Sequence, residues 1–197
     1  MTTALRTARL TLRRWTEADA QVLRRLSGDP RVTRYIGDGK VWPDERVRET
    51  SEAAVEHWRR YGFGWWVMRL EETGEEIGFG CLNHPSADSG IDPGEFEIGW
   101  WLAAEFWRRG LAGEAAAAVR DDAFARVGAP SVVARLQPDN HGSAGVARRI
   151  GMRHERNTLG RWGEPVAIYR RRTIESTDID GKEQPCRLKA LRSGRAI

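Results

Sequence analysis

The segment Trp107-Arg108-Arg109-Gly110-Leu111-Ala112-Gly113-Glu114-Ala115-Ala116 decides how the rest of the sequence is interpreted. It follows an alternating, aromatic-rich run over residues 95–102 that predicts a strand, and it leads into an Ala-rich stretch over residues 114–126 that predicts a helix. A turn of this kind directs the first backbone N–H groups of the helix at an anion, and the helix dipole favours negative charge there. Gly110 and Gly113 lack a Cβ, which lets a phosphate approach the backbone.

Arg108 and Arg109 add two cationic groups to this turn. A cofactor that carries a diphosphate is therefore its natural ligand. The turn alone does not decide the matter, because a Gly-x-x-Gly pair before a helix also occurs in ordinary tight connections. The Walker lysine motif and the three-glycine dinucleotide fingerprint are both missing from the sequence, which argues against those two nucleotide-binding folds.

A second segment narrows the interpretation. A predicted strand over residues 131–136 runs into Gln137-Pro138-Asp139-Asn140-His141-Gly142-Ser143 and on to Gly151-Met152. With Glu97-Ile98-Gly99-Trp100-Trp101-Leu102 and Arg109-Gly110-Leu111-Ala112, these motifs resemble the GNAT superfamily of acyl-CoA-dependent N-acetyltransferases, and more narrowly its Rim-type branch of ribosomal-protein N-terminal acetyltransferases. The resemblance covers about residues 9–172 and keeps the order and spacing of the motifs.

The resemblance implies the GNAT fold, an α/β (α+β) architecture whose central, mostly antiparallel twisted sheet is flanked by helices and splayed at the acyl-CoA site. The predicted elements fit it, with a long helix over residues 43–61 and a short helix over 143–150. We expect residues 1–172 to form one acetyltransferase domain. Residues 173–197 are polar and have little periodicity, so we expect a flexible extension, or alternatively an arm that packs on a neighbouring subunit.

The composition is that of a globular protein, with 197 residues, a net charge of +4 and two cysteines, Cys81 and Cys186. Two cysteines favour neither a disulfide framework nor a metal cluster, and the four histidines have no metal-ligand spacing, so we expect no metal. The sequence contains no long apolar segment and no signal-peptide pattern, which makes a cytoplasmic location the default expectation.

The resemblance assigns the acetyl-CoA contacts. Residues 108–113 would hold the pyrophosphate, and Asn140 would hydrogen-bond the pantetheine arm. Free backbone groups at Trp101, Leu102 and Ala103, where the central strand leaves its neighbour, would bind the pantetheine amides and the thioester oxygen. The full predicted set is Trp101, Leu102, Ala103, Arg108, Arg109, Gly110, Leu111, Ala112, Gly113 and Asn140.

A carboxylate is the expected general base. Deprotonating a lysine amine at pH 7 costs roughly 4–5 kcal/mol, whereas an α-amine costs only about 1 kcal/mol, so one carboxylate acting through water suffices for an α-amine. Glu97 stands at the place of the family's strand glutamate. Glu95, two residues earlier, would face the same side of a strand and is the alternative; either could instead be a partly exposed sheet residue.

The general acid departs from the usual pattern. Many GNAT enzymes protonate the leaving thiolate with a tyrosine seven residues after the motif asparagine, and here that place is Ala147. The Rim-type branch also tends to lack this tyrosine, and a serine has the role there. Ser143 is thus the candidate acid, with a helix N-cap as the alternative role.

Aromatic side chains are the candidate acceptor contacts. Trp42, Tyr35 and Trp66 are the predicted substrate-binding residues, and Trp42 is the better candidate because it lies in a loop-like stretch. Trp66 equally fits the core, because alternating aromatic residues suit strand packing.

The leading hypothesis is an acetyl-CoA-dependent N-acetyltransferase, monomeric or homodimeric, that acetylates a protein N-terminus or a small-molecule amine. A non-catalytic acyl-CoA-binding or sensing module is the alternative that Ala147 leaves open. A nucleic-acid partner is suggested only by the basic character of the chain. We expect none, because no basic stripe or reading motif is present, and we expect no membrane partner.

Overall fold

A computed structural model describes residues 4–86, 89–160 and 163–173, so the extension predicted from residue 173 onwards lies almost wholly outside the described residues. One sheet holds eight strands in the order β1-β2-β3-β4-β5-β6-β8-β7, and all neighbours are antiparallel except the parallel pair β5 and β6. This is the mostly antiparallel sheet that the sequence predicts. The strands are β1 (Ala4–Arg6), β2 (Leu10–Arg14), β3 (Trp65–Leu70), β4 (Glu76–Asn83), β5 (Glu97–Leu102), β6 (Ser131–Leu136), β7 (Arg153–Leu159) and β8 (Pro165–Arg172).

Five α-helices connect the strands. They are α1 (Ala20–Ser27), α2 (Pro30–Thr33), α3 (Asp44–Tyr61), α4 (Leu111–Asp122) and α5 (His141–Arg149). A π-helical turn, Ala123–Val127, extends α4. Gly62 ends α3 and Gly128 ends this turn, and both have the left-handed backbone conformation that glycine adopts without strain.

Three predicted boundaries are wrong. The central strand begins at Glu97 rather than at residue 95, because the Glu95 amide donates to the carbonyl of Asp92 in a turn. The helix predicted from residue 114 already begins at Leu111. The helix predicted from residue 143 begins at His141, because the Asn140 side chain accepts a hydrogen bond from the Ser143 amide and caps it.

The sheet separates an aromatic cluster from α4. On one face, the Phe79 ring of β4 contacts the rings of Trp15, Trp65 and Trp101. On the other face, a Cβ at Gly80 would lie 3.1 Å from Cγ2 of Val119 in α4. The bare backbone at Gly80 therefore lets α4 pack tightly on the centre of the sheet, which fixes the start of α4 relative to β5.

The two central strands part along their length. β4 and β5 are in register over six residue pairs, whereas β5 and β6 share the single pair Glu97↔Val133. The Val133 amide donates to the Phe96 carbonyl beside that pair, at 2.8 Å. Among the described residues, β5 has no strand partner on the β6 side from Ile98 onwards, so the sheet is splayed there as the resemblance implies.

A histidine pair ties the end of α3 to the end of β4. His57 Nδ1 lies 2.9 Å from the Phe63 carbonyl, and the His84 amide donates to His57 Nε2 at 3.2 Å. Because Nε2 accepts a hydrogen bond, the ring is neutral with its proton on Nδ1. Burial lowers the pKa of His57 below its ordinary value of 6.5; the Phe63 carbonyl opposes this shift, and His84 reinforces it.

This arrangement predicts that the protein loses stability in mild acid. A His57 whose pKa is lower in the folded than in the unfolded protein stabilises the fold fully above pH 6.5, and this contribution falls as the pH drops below 6.5. We expect the free energy of unfolding in urea to decrease from pH 7.5 to pH 5.5, and to decrease less in His57→Phe. His141→Gln, at an exposed position, is the control that keeps the wild-type slope. The same slope in His57→Phe and wild type would refute this origin.

Candidate functional site

A cleft of about 320 Å³ opens where β5 and β6 part. Its floor is the side of β5 that carries Glu97, Gly99 and Trp101. One side is formed by the loop after α2 and the start of α3, and the other by the segment that joins β6 to α5. The cleft therefore brings together segments from both halves of the chain, including Tyr35, Trp42, Asn140 and Ser143 of the predicted site.

Glu97 lies at the point where the strands diverge and faces the cleft. Arg135 of β6 holds its carboxylate, with Nε 2.8 Å from Oε1 and Nη2 3.3 Å from Oε2. A carboxylate has about four lone-pair sites, so two remain for a water or an amine. Arg135 thus fixes the orientation of Glu97 without occupying it. Arg135 was not among the predicted site residues, and its position in an otherwise apolar strand was the available signal.

Glu95 lies elsewhere. Its carboxylate pairs with Arg170 of β8, at 2.6 and 2.9 Å, and Arg170 also donates to the Ser131 hydroxyl at 3.0 Å. Glu95 precedes the strand and is not among the residues that line the cleft. The expectation that Glu95 and Glu97 share one face of a strand is therefore wrong. Of the two carboxylates, Glu97 is therefore the better candidate for the base, because it lines the cleft.

The basic turn is the N-terminus of α4. Gly110 caps this helix with a left-handed backbone (φ 79°), and Arg108 has the only positive φ (62°) among the described non-glycine residues. The Glu114 amide donates to the Gly110 carbonyl, so the amides of residues 111–113 have no acceptor within the helix. These amides lie at the positive end of the helix dipole and are free to bind an anion, which is the role that the sequence predicts for the turn with Gly110 and Gly113.

Two arginines that we did not predict stand beside this turn. A Cβ at Gly110 would lie 3.5 Å from Nη2 of Arg9 and 3.7 Å from Nη1 of Arg149, and Gly113 packs against the same Arg149 side chain. Arg9 also donates to the Arg109 carbonyl at 2.9 Å. Both come from segments distant in sequence, so no local pattern could reveal them.

Glu114 anchors Arg9 at the turn. It accepts hydrogen bonds from the Thr7 hydroxyl, the Arg9 amide and the Arg9 guanidinium, the last at 2.7 Å. Burial acts to raise the pKa of Glu114, but these hydrogen bonds outweigh it and hold the pKa below its usual value. Arg149 has no carboxylate partner among the described residues. The turn therefore keeps a surplus of positive charge.

The free backbone groups of β5 differ from those predicted. The Ala103 amide donates to the Ile77 carbonyl, so it is not free, and by the alternation of an antiparallel ladder the backbone of Trp101 also faces β4. Trp100 and Leu102 face the opening instead. The Leu102 carbonyl accepts a hydrogen bond from Trp107 Nε1 at 2.8 Å. Of the Leu102 backbone groups, only the amide is therefore left to bind a ligand. The expectation for Ala103 and Trp101 is therefore wrong in geometry, whereas that for the Leu102 amide fits.

Ser143 and Asn140 stand at the start of α5, on the side of the cleft opposite the acceptor loop. Asn140 uses its side-chain oxygen to cap the helix, so the cap is Asn140 and not Ser143. The Ser143 hydroxyl makes no hydrogen bond to any described residue. It is therefore available to a ligand in the cleft. Ala147, one turn further along, is fully buried.

The predicted aromatic contacts divide between cleft and core. Tyr35 and Trp42 line the cleft and are half-buried. Trp66 is fully buried and packs against Trp58 with ring centroids 4.8 Å apart, so its assignment to the acceptor site is wrong. The neighbouring Trp65 lines the cleft in its place, because adjacent strand residues point to opposite faces.

Cys81 forms part of the floor of the cleft. A Cβ at Gly99 would be 2.7 Å from its Sγ, so the strands fit closely there. Burial, reinforced by the charge of Glu97, raises the pKa of Cys81 to about 12. The thiol is therefore protonated at neutral pH and is a poor nucleophile.

Residues 4–86, 89–160 and 163–173 contain neither a metal-binding cluster nor a membrane-spanning helix. In these ranges, no group of three His, Cys, Asp or Glu side chains could hold a metal ion. No helix in the same ranges is both long enough and apolar enough to cross a membrane.

Comparisons with known proteins agree with one another. Residues 9–153 match the family model described as acetyltransferase (GNAT) domain. The Bacillus subtilis (strain 168) protein YkkB is 32% identical over 179 residues, which span 87% of this chain and 96% of YkkB. The crystal structure of an acetyltransferase from Agrobacterium tumefaciens str. C58 is 34% identical and has a TM-score of 0.75, covering 88% of this chain and 96% of that one.

A structure of RimL, a ribosomal L7/L12 alpha-N-protein acetyltransferase in complex with coenzyme A, has a TM-score of 0.69 at 20% identity. The match covers 86% of this chain and 97% of that one. At this identity the match concerns the fold alone.

Proposed function

Because the chain belongs to the GNAT family of acetyltransferases, which transfer an acetyl group from acetyl-CoA, we propose that it acetylates a primary amine by direct attack on the thioester. The acceptor is a protein N-terminus or a small-molecule amine. The observation that carries this proposal is the Glu97 carboxylate, held by Arg135 at the point where β5 and β6 part. This carboxylate would act as the base beside the opening between the two strands.

The residues around the opening fit acetyl-CoA. The amides of residues 111–113, with Arg108, Arg109 and the nearby Arg149, would bind the pyrophosphate. The amide of Leu102 and the backbone of Trp100 would pair with the pantetheine arm, in the way that a missing strand would. Asn140 shapes the start of α5 by capping it.

In the reaction, the amine nitrogen bonds to the thioester carbon while the bond from this carbon to sulfur breaks. The attacking nitrogen loses one proton, which passes through a water to the Glu97 carboxylate. The departing thiolate takes a proton from the Ser143 hydroxyl, which regains one from solvent. The net exchange is one amide and one thiol for one amine and one thioester.

Cys81 supports direct attack over an acetyl-enzyme. A covalent route needs a nucleophile in the cleft, and a thiolate is the form that attacks. Cys81 lines the cleft, but burial keeps its thiol protonated. We therefore expect the amine and acetyl-CoA to react in one ternary complex, which gives intersecting rather than parallel double-reciprocal plots.

Replacing Ser143 by alanine tests the acid. Because a thiol leaves readily as the thiolate and water can protonate it afterwards, we expect kcat to fall only about tenfold. Stability should stay unchanged, because the cap of α5 is Asn140. The matched control is Asn140→Ala, which loses the cap at a cost of about 1 kcal/mol in the free energy of unfolding. An unchanged kcat in a folded Ser143→Ala protein would exclude the assignment.

Thiol release from acetyl-CoA, measured against amines and N-terminal peptides that begin with Ser or Ala, tests the function itself. Turnover with an acceptor establishes the acetyl transfer to an amine. Binding of CoA without turnover on any acceptor would instead favour the sensing module, for which the buried Ala147 in place of the usual tyrosine is the specific observation.

A further inference from the structure

A continuous set of aromatic rings forms one wall of the cleft. Trp65 stacks on Phe79 with centroids 4.3 Å apart, and Phe79 stacks on Trp101 at 5.4 Å. Trp42 meets Trp101 edge-on at 5.3 Å, with an angle of 70° between the rings. Trp42, Trp65 and Trp101 are half-buried, so each leaves part of its ring surface to a ligand. Trp42 and Trp101 thus form a corner that suits a flat apolar group.

Neighbouring side chains hold the rings of this wall in place. Trp65 Nε1 donates to Asn83 Oδ1 at 3.0 Å, and Trp15 packs edge-on against Trp65 at 5.1 Å. The Arg46 guanidinium lies 3.9 Å from the centroid of the Trp42 ring. A wall fixed in this way loses little conformational entropy when a ligand binds, which raises its contribution to affinity.

The cleft is small and is bridged at its edge. Its 320 Å³ is near the lower limit of small-ligand sites, and the acetyl end of the co-substrate has to share this space. Gln137 Nε2 donates to the Gly37 carbonyl at 3.3 Å, which joins the loop after α2 to the segment after β6. A compact acceptor fits these limits better than a polypeptide that enters with several residues.

The floor between the aromatic corner and the base carries one small side chain. Glu97, Gly99 and Trp101 alternate along one side of β5, and the space over Gly99 is filled by the Cys81 thiol, whose Sγ lies 2.7 Å from the position of a Cβ there. An acceptor whose ring lies against Trp101 can therefore extend its amine over this thiol towards Glu97. The order along the floor is ring site, thiol and carboxylate.

We propose that the acceptor is a small arylalkylamine, whose aromatic ring lies in the corner between Trp42 and Trp101 while its amine reaches Glu97. This inference rests on the acetyl transfer proposed above and selects the small-molecule amine over the protein N-terminus. Ring contacts contribute specific energy beyond the area they bury. Two such contacts predict a preference of about tenfold in kcat/KM for an aromatic over an aliphatic amine of equal length.

The test compares arylalkylamines with two- to four-carbon links, alkylamines of the same length and N-terminal peptides as acceptors of the full-length protein. In Trp101→Leu and Trp42→Leu we expect the aromatic preference to fall to about twofold, mainly through a higher KM. Two variants are needed because Trp101 lies on the central strand, whereas Trp42 precedes α3. Tyr61→Leu, which removes an exposed ring outside the cleft, should keep the preference.

Equal kcat/KM for aromatic and aliphatic partners, a peptide as the best acceptor, or an unchanged preference in both variants would overturn the proposal. Failure of acetyl transfer is a separate result, seen as no thiol release with any acceptor. In that case the ring site is tested by calorimetric titration of the same amines into the CoA-loaded protein. Binding of arylalkylamines that is at least tenfold weaker in Trp42→Leu supports the ring site, and the same affinity in both proteins refutes it.

Discussion

A glutamate in place of Gly110 is expected to weaken CoA binding by about a hundredfold or more. The new carboxylate would stand at the positive end of α4, within reach of Arg9 and Arg149, whose guanidinium groups lie 3.5 and 3.7 Å from the position of its Cβ. The new carboxylate would compete with the phosphates of CoA for these two arginines, and its negative charge would repel the phosphates. A loss of about 3 kcal/mol, the value of one or two charge-assisted hydrogen bonds, corresponds to this factor.

Gly128→Glu is the matched control for this variant. Gly128 has nearly the same left-handed backbone, with φ 76° against 79°, and a Cβ there meets nothing within 4 Å. Both variants therefore carry a similar backbone strain of about 1–2 kcal/mol, but only one places charge at the turn. Calorimetric titration with CoA is the measurement. Wild-type affinity for CoA in a folded Gly110→Glu protein would show that this turn does not bind the phosphates.

The second large effect is expected from Glu97→Gln, which should lower kcat by about a hundredfold and leave the Kd for CoA nearly unchanged. The amide keeps the shape of the carboxylate but cannot accept a proton, and general base catalysis commonly contributes a factor of this size.

Glu95→Gln separates the loss of a base from the loss of an ion pair. Glu95 and Glu97 each bind one arginine through both carboxylate oxygens, Glu95 with Arg170 and Glu97 with Arg135. Both substitutions thus weaken one ion pair, but only Glu97 lines the cleft. We expect Glu95→Gln to keep the wild-type kcat. Equal rate losses in the two variants would show that Glu97 acts through stability and not as a base.

Local sequence patterns predicted the elements around the site well. Three elements lie close to where the sequence predicts them: strand β5, strand β6 (Ser131–Leu136) and the long helix α3, which begins after Pro43. Each of these rests on hydrophobic periodicity or on a local start signal, which a short window contains.

The predictions that were wrong concern features that depend on residues distant in the sequence. Whether Trp65 or Trp66 faces the cleft depends on which face of β3 meets the helices, and the alternation of a strand does not state this. The free amides of β5 depend on its register with β4, in which Ala103 already pairs with Ile77. Arg149 reaches the basic turn before α4 only because α5 packs beside α4.

The catalytic and binding roles of the site residues stay predictions. The structure brings Glu97, Ser143, Asn140, Trp42 and Tyr35 to one cleft, and it leaves Trp66 in the core. The geometry also adds Arg135, which the motif comparison could not supply because a resemblance transfers only the positions that the motif contains.

Because Glu114 holds Arg9, the basic turn before α4 reaches its final arrangement late in folding. Thr7 and Arg9 leave the ribosome about a hundred residues before Glu114, so Arg9 has no partner at the turn until five strands of the sheet have been synthesised. A contact of such long range forms slowly, because the entropy of closing the intervening loop has to be overcome first. Coenzyme A would then stabilise only chains in which both ends of the fold have met, and its cellular concentration would favour the finished molecule over partly folded forms.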